Sequence, residues 1–375
     1  MIRIKIDPNK QKELEEIHWN WFKARMKEIA WPQNTTHKEF ILKNVFFLNT
    51  AEKKLSPDKQ DIIKENRLRM LIAGNPNTKI NGVKLYDFFY QLNKKYKWHN
   101  TGKMAQKENE TEQEFNERKK KAEDENKRTK DLQKAFGYND FVSSPQKENW
   151  YKNFKKSNNG NDWNAKVLSE ELGIDVCPYC NRQYIFGYDL IDNETVANKK
   201  NTAEIDHFKP KGYFPYFSCS LYNFVPSCHL CNSTKQAQDK DILYPYTDSL
   251  DENTKNEKNA KFKFNANGIK LEVNPNYSKA TEADNSIKMF HLNEIYSKHT
   301  LELNDLTKRY EKCTPQQFNA LFNFITKDLQ ISISKENLKK LMMGLPISTT
   351  KEYPLRKFKE DIINQLEEES KKIVK

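Results

Sequence analysis

The sequence predicts an α+β protein in which a central, cysteine-rich segment with short strands lies between mainly helical regions. Three observations support this fold class. Apolar residues recur at helical spacing over residues 9–30 and again from residue 284 onward. Two Cys-x2-Cys pairs frame residues 177–231. Between these pairs, β-favouring runs end at turn residues, which is typical of short strands.

We predict three consecutive regions. Residues 1–150 form a mainly helical N-terminal region with a charged helix or linker at 103–134. Residues 151–250 form the central module that contains the cysteines. Residues 251–375 form a hairpin followed by a helical C-terminal region.

The N-terminal elements follow from local patterns. Alternation predicts a short strand at 2–6, and helical spacing predicts helices at 9–30, 36–54, 57–73 and 83–98. Ser56-Pro57 is a typical helix start, and Gly74-Asn75-Pro76 is a typical helix end. Residues 103–134 are almost entirely charged, which favours a solvated helix or a linker.

In the central module we predict strands at 183–188 and 202–208, a loop at 192–201 and a helix at 233–239. Asn232 would open that helix as its N-cap. Residues 260–264 and 269–273, joined by turn residues, read as a β-hairpin. Further helices are predicted at 284–310, 315–330, 335–343 and 354–370.

Composition limits the functional class. The chain has 375 residues and a formal net charge of +12, which suits a polyanionic partner such as nucleic acid. The charge alone is weak support, because Lys and Asn are abundant throughout the sequence. The first residues lack an apolar run and no stretch approaches the ~18 apolar residues of a spanning helix, so we expect neither a signal peptide nor a membrane contact.

Cys177, Cys180, Cys228 and Cys231 can supply a complete tetrahedral thiolate set for a structural Zn²⁺ ion. The polar segment between the pairs could not bury enough apolar surface to fold alone, so a metal is physically reasonable. Two unrelated turns with reduced thiols, or a redox Cys-x2-Cys pair, remain alternatives. His229 could also replace a thiolate, although an exposed position is favoured. Thiolate ligands fit a reducing, cytoplasmic location.

Asp206 and His207 stand side by side near the end of the strand predicted at 202–208. Successive strand residues point to opposite faces, so both can reach one site only if the strand ends there. The following Lys209-Pro210-Lys211-Gly212 supplies that ending. Asn232 directly follows the last cysteine, so a carboxylate, an imidazole and an amide can converge beside the zinc.

This arrangement resembles the HNH endonucleases of the ββα-metal type. The resemblance is carried by Asp206-His207, Asn223 and Asn232, in that order, and Asn232 stands where a third histidine often occurs. The four-cysteine zinc followed by Asn is similar to phage junction-resolving endonucleases. The resemblance implies an HNH nuclease module within residues 151–250.

The resemblance also implies roles for these residues. His207 is the general base on water, Asp206 and Asn232 hold a catalytic Mg²⁺ or Mn²⁺ ion, and Asn223 ties down the loop that carries His207. The substrate is nucleic acid, with double-stranded DNA expected, although the site chemistry leaves DNA and RNA open. Candidates for positioning the phosphate backbone are Arg182, Lys209, Lys211 and Lys235.

A wider set of motifs surrounds the site: Cys-Pro-Tyr-Cys, Asp-His-Phe-Lys-Pro-Lys, Asn-Phe-Val-Pro-Ser-Cys and Tyr-Pro-Tyr. They are similar to the PtuB-like nuclease subunits of Septu-type anti-phage defence systems, which implies a partner ATPase. Two other classes stay open: a non-catalytic zinc-knuckle module that binds nucleic acid, and a scaffold subunit. Metal-dependent nicking would separate the nuclease from both.

Overall fold

The computed structural model describes residues 1–28, 48, 50–80, 82–91, 99, 101–143, 146–192, 195–347 and 352–373. Over these residues the protein mixes helices and strands, which confirms the α+β class. Every β-sheet in the described ranges is an antiparallel pair of strands. None of the described helices is long and apolar enough to cross a bilayer.

The chain forms two compact units, and each is discontinuous in sequence. The first, here called the site unit, comprises Ile4–Gly173 and Phe186–Asp239. The second, called the C-terminal unit, comprises Met1–Arg3, Ile174–Ile185 and Lys240–Lys375. This division differs from the three consecutive regions expected from sequence, whose functional separation stays a prediction.

The site unit is mainly helical. Its α-helices are Pro8–Glu28, Pro57–Ala73, Leu85–Gln91, Glu112–Ala135, Tyr138–Ser143, Asn149–Ser157, Ala165–Glu171 and His229–Lys235. Its strand pairs are Lys79–Ile80 with Val83–Lys84, Gly187–Asp192 with Thr195–Asn201, and Glu204–His207 with Phe224–Ser227.

An aromatic core holds the last of these strand pairs in place. The ring of Phe224 stacks on Phe141 at a centroid distance of 5.1 Å, and Phe141 meets Trp21 edge-on at 5.1 Å. Trp150 continues the cluster at 5.8 Å from Trp21. The strand that begins at Phe224 is therefore fixed by helices from the N-terminal half of the chain.

The charged segment predicted at 103–134 is a helix over Glu112–Ala135. Thr111 and Glu114 form a capping box, in which each side chain accepts a hydrogen bond from the other's backbone N–H. One face of the helix is buried through residues spaced three or four apart: Ala122, Asn126, Thr129 and Leu132. The helix is therefore a packed element and not a fully solvated one.

The C-terminal unit combines a hairpin with helices. The strands Ala260–Asn265 and Gly268–Val273 pair antiparallel, as predicted. Its α-helices are Ala280–Met289, Leu292–Tyr296, Thr300–Glu311, Pro315–Asn323, Lys335–Met342 and Arg356–Ile373. Its core includes Phe262, Tyr296 and Phe358, with Tyr296 at 4.3 Å from Phe262 and 5.6 Å from Phe358 between ring centroids.

Most element predictions are confirmed, two are wrong, and the strand predicted at 183–188 begins only at Gly187 and runs to Asp192. The helix predicted at 57–73 is Pro57–Ala73, and the helix predicted at 9–30 is Pro8–Glu28 in the described residues. Residues 2–6 form no strand. The loop predicted at 192–201 is largely a strand, because Thr195–Asn201 pairs with the preceding strand. Residues 36–47 and 92–98, parts of two predicted helices, lie outside the described residues.

Candidate active site and metal centre

Two strands and a helix build the site. The strand Glu204–His207 pairs antiparallel with Phe224–Ser227, with Asp206 opposite Val225 and His207 opposite Phe224. The helix His229–Lys235 follows at once, with Cys228 as its N-cap residue. We call these three elements the ββα segment. The first strand ends at His207, as the convergence of Asp206 and His207 requires.

The helix of this segment contacts one face of the first strand through polar groups. Glu204 and Asp206 are two residues apart and so share a strand face, while Asn232 and Lys235 are three apart and share a helix face. Asn232 Nδ2 donates to Glu204 Oε2 at 2.6 Å, and Lys235 Nζ donates to Asp206 Oδ1 at 3.0 Å. The sequence periodicities therefore place two carboxylates against an amide and an amine.

The Asp206–Lys235 pair is deeply buried, with side-chain exposures of 4% and 1%. Lys235 Nζ also donates to the backbone oxygen of His207 at 2.7 Å. Burial lowers the pKa of Lys235, and the nearby Asp206 carboxylate opposes that change. Lys235 thus joins the carboxylate of Asp206 to the backbone of the adjacent histidine.

His207 is held in one tautomer. Its Nε2 lies 3.0 Å from the backbone oxygen of Ser218, and a carbonyl oxygen can only accept. In the neutral ring, Nε2 therefore carries the hydrogen and Nδ1 carries the lone pair. Burial lowers the pKa of His207 to about 3, and the positive charges of Lys211 and Lys235 act in the same direction. The imidazole is neutral at physiological pH.

Asn223 joins the two ends of the loop between the strands. Its Oδ1 accepts from the Lys209 N–H at 2.8 Å, and its Nδ2 donates to the Lys209 and Phe217 carbonyl oxygens, both at 3.0 Å. The backbone of Asn223 also accepts from Phe208 N–H at 2.9 Å. These bonds fix the loop in which Ser218 holds His207.

A cavity of about 430 Å³ opens beside the ββα segment. Three of the four predicted catalytic residues, Asp206, His207 and Asn232, line it together. The other lining residues are Lys130, Gln133, Tyr138, Ile205, Pro210, Lys211, Gly212, Gln236 and Ala237. A carboxylate, a neutral imidazole and an amide therefore share one water-accessible space, as the sequence predicts.

The four predicted phosphate contacts lie in different surroundings, and their role stays a prediction. Lys211 lines the cavity. Lys235 is buried against Asp206, and Lys209 Nζ pairs with Asp239 Oδ1 at 3.0 Å. Arg182 belongs to the C-terminal unit, where its Nε donates to His299 Nε2 at 3.0 Å.

Glu204 was not identified from the sequence, although its spacing to Asp206 could have suggested it. Its Oε1 contacts His229 Nδ1 at 2.6 Å. Burial raises the pKa of Glu204, but the hydrogen bonds from Asn232 and His229 outweigh it, so the pKa is lower than usual. The same contact raises the pKa of His229. Since a carboxylate only accepts, it binds the Asn232 nitrogen and leaves Asn232 Oδ1 for another partner.

Lys130, Gln133 and Tyr138 were also missed. They come from the helix Glu112–Ala135 and the helix after it, far from the motif in sequence. No local pattern distinguishes them from ordinary helix residues. Only the folded chain brings them to the cavity.

The four predicted zinc ligands form one group. Cys177, Cys180, Cys228 and Cys231 are all buried, and their sulfur atoms all lie within 4.8 Å of one another. A tetrahedral site with Zn–S bonds of about 2.3 Å has edges of about 3.8 Å, so small side-chain shifts would complete it. The residues therefore fit a structural metal such as zinc.

Local structure explains how each pair presents its sulfurs. At the first pair, Asn181 N–H donates to Cys177 O at 2.8 Å, and Asn181 has a φ of 52° that closes the knuckle. At the second pair, Cys228 caps the helix and Cys231 lies in its first turn. His229, the alternative ligand, instead faces Glu204.

Comparison of this chain with protein-family models, with curated proteins and with solved structures finds no match, so its resemblance to HNH endonucleases is carried by the site residues alone.

Proposed function

We propose that this chain is a metal-dependent HNH endonuclease that hydrolyses phosphodiester bonds of nucleic acid, with double-stranded DNA as its main substrate. The observation that carries the proposal is the shared cavity of Asp206, His207 and Asn232 beside the ββα segment. Phosphodiester hydrolysis needs an activated water, a positioned phosphate and charge stabilisation. Each of these three side chains has the chemistry for one of those tasks.

His207 acts as the general base. Its Nδ1 lone pair accepts a proton from water while the water oxygen bonds to phosphorus and the bond to the 3′ oxygen breaks. The low pKa keeps the ring in its basic form, but a base this weak has little driving force. A bound phosphate would offset the charge of Lys211 and raise the pKa of His207 toward a more effective range.

The Asp206 carboxylate and the Asn232 amide oxygen would hold a divalent cation. Oxygen ligands favour hard ions, so Mg²⁺ or Mn²⁺ fits this pair better than Zn²⁺ or Ni²⁺. When bound, such an ion neutralises charge on the phosphoryl group and on the departing oxygen. Glu204 supports this assignment, because its contact with Asn232 Nδ2 turns the amide oxygen away from the carboxylate.

A non-catalytic nucleic-acid-binding module is the second candidate. The observation that favours it is the Lys235 ammonium at 3.0 Å from Asp206 Oδ1, which neutralises the carboxylate without a metal ion. In that case the cavity binds phosphate but has no cation to complete the chemistry. The two candidates differ in one outcome, which is cleavage.

The test is cleavage of plasmid DNA by the purified chain with Mg²⁺ or Mn²⁺, compared with the His207→Ala variant. We expect the variant to lose about 10²–10⁴-fold in rate, the usual effect of removing a general base. Zinc content should stay as in the parent because His207 is not a zinc ligand, whereas the melting temperature should fall moderately because a buried ring and its hydrogen bond to Ser218 O are lost. Full activity of the purified variant refutes the assigned base, and an inactive parent favours the non-catalytic module.

We also propose that the nuclease is a cytoplasmic effector of an anti-phage system and works with a partner ATPase. The resemblance to Septu-type nuclease subunits motivates this. Within the described chain, the helix Pro315–Asn323 has no buried residue, and Phe324, Leu329 and Ile331 beyond it are exposed, which supports a partner-binding role for this region. Co-purification from the native operon tests the idea. A chain that elutes alone and cleaves at full rate without neighbouring gene products contradicts it.

A further inference from the structure

Two lysines line the same cavity as the proposed general base. Lys130 comes from the helix Glu112–Ala135, and Lys211 comes from the loop after the first strand of the ββα segment. Among the described lining residues, Asp206 is the one carboxylate, and it is already paired with Lys235. Lys130 and Lys211 therefore contribute positive charge to the lining of the cavity.

Lys211 is held in position by two contacts. Its Nζ lies 3.5 Å from the centroid of the Tyr138 ring, a close cation–π contact. Its backbone oxygen accepts a hydrogen bond from Gln133 Nε2 at 2.8 Å. Gln133 and Lys130 are three residues apart on one helix, so the element that positions Lys211 also supplies the second lysine.

Tyr138 also contacts the general base. Its ring meets the His207 imidazole edge-on, with 5.0 Å between centroids. The Lys211 ammonium is close enough to be the second cause of the low His207 pKa. Tyr138 therefore contacts both the cation and the base, and fixes the ammonium at the edge of the space in which a phosphate would react.

We propose that Lys211 and Lys130 form a subsite for a backbone phosphate of the substrate, and that Tyr138 is the residue that positions Lys211 there. The inference rests on the proposed function and extends it to residues outside the HNH motif. Ammonium groups bind phosphate oxygens as point charges and carry no base information, so the subsite anchors any sequence. A base stacked on Tyr138 is disfavoured, because the lysine already covers a face of that ring.

The test is the salt dependence of binding of a fluorescent DNA duplex to the full chain, without added divalent ion. Each phosphate contact contributes about −0.9 to the slope of log K against log salt concentration. We expect Lys211→Ala to weaken binding and to make that slope shallower by about 0.9. Lys152→Ala, an exposed lysine that does not line the cavity, should leave both quantities unchanged.

Two tyrosine variants test the positioning role. Tyr138→Phe keeps the aromatic face and should bind with the parent slope, whereas Tyr138→Leu should shift the slope toward that of Lys211→Ala. A merely structural role for Tyr138 would lower stability in Tyr138→Leu without changing the slope. That result, or a parent slope in Lys211→Ala, overturns the proposal.

Cleavage by the parent chain with Mg²⁺ is measured in parallel. If the parent cleaves and the Lys211→Ala slope is unchanged, the subsite is wrong and the nuclease stands. If the salt slope of Lys211→Ala is shallower than that of the parent and the parent does not cleave, the phosphate subsite stands and the proposed nuclease function is wrong. Absence of duplex binding by the parent overturns the subsite.

Discussion

His207 and His18 are both buried in the site unit, but their ring nitrogens have different partners. His18 Nε2 donates to Cys219 O at 2.9 Å, and Trp163 Nε1 donates to His18 Nδ1 at 3.1 Å. Both nitrogens of His18 are thus used by the core. At His207 the hydrogen bond made within the described part of the chain is at Nε2, to Ser218 O, and the ring lines the cavity. Burial makes both rings neutral. The difference lies in the second ring nitrogen: in His18 the core uses it, which marks a structural histidine, whereas the His207 ring lines the cavity as a candidate base.

His18 should make the fold sensitive to acid. Burial lowers its pKa to about 4, against an ordinary 6.5, and the Cys219 carbonyl only partly opposes this. Between these values the unfolded chain binds more protons, so stability is full above pH 6.5 and is lost as the pH falls. We expect the free energy of unfolding to drop by about 2 kcal/mol from pH 7 to 4.5 through this residue. Urea unfolding of the parent and of His18→Gln at several pH values measures this drop. If the free energy of unfolding depends on pH equally in both proteins, His18 is not its source.

Glu204 should determine which atom of Asn232 faces a cation. In Glu204→Gln the new side chain can donate as well as accept, so the Asn232 amide can turn over. Loss of such an orienting contact typically weakens metal binding about 10–100-fold. Mn²⁺ titration followed by electron paramagnetic resonance checks this without any cleavage assay.

The matched control is His229→Gln, which removes the other partner of Glu204 from an exposed position. We expect it to change Mn²⁺ affinity much less. Equal Mn²⁺ affinity in the parent and Glu204→Gln would mean that Asn232 needs no such orientation.

Elements whose signals are local could be predicted from the sequence. The helix Pro57–Ala73 has Pro at its start and Gly74 after its end, and the hairpin of the C-terminal unit has turn residues between two alternating runs. Elements that need a distant partner could not. Residues 2–6 alternate, but within the described ranges they make one backbone–backbone hydrogen bond, from Ile2 N–H to Pro178 O, and no ladder with another described strand. The site helix begins at His229, earlier than predicted, because Cys228 takes the N-cap position.

The zinc ligands should be required for the fold around them. Thiolate coordination is worth about 10–16 kcal/mol of apparent binding energy in small zinc sites, so Cys231→Ser should lose its zinc and melt at a much lower temperature. Cys313→Ser is the control, because Cys313 lies outside the cluster. Metal analysis and thermal melting of the two variants and the parent test this prediction. One equivalent of zinc and a parent melting temperature in Cys231→Ser would refute the four-cysteine site.

For the whole molecule, the sequence could predict which residues of the motif lie together, but not the grouping of distant segments into compact units. Asp206, His207 and Asn232 belong to one compact motif, so their meeting could be foreseen. Tyr138 and Lys130 are brought to the cavity by contacts between segments far apart in sequence. The discontinuous units have the same origin, since no local pattern records that residues 174–185 group with residues 240–375.

Lys235 has a further consequence for metal removal. Because its ammonium already pairs with Asp206, loss of the divalent ion leaves no isolated buried carboxylate. We expect a chelator too weak to extract the thiolate-bound zinc to abolish cleavage and leave the melting temperature unchanged. Asp206→Ala, by contrast, removes the carboxylate that pairs with the buried Lys235 ammonium, and should cost about 3–5 kcal/mol of stability. Equal melting temperatures of Asp206→Ala and the parent would contradict this role of Lys235.

In the proposed nuclease, Lys235 would therefore serve as a built-in counter-ion for the metal-free state. If the proposed function holds, cleavage would follow the concentration of free magnesium or manganese reversibly, while the protein stays folded and resistant to proteolysis between episodes of cleavage.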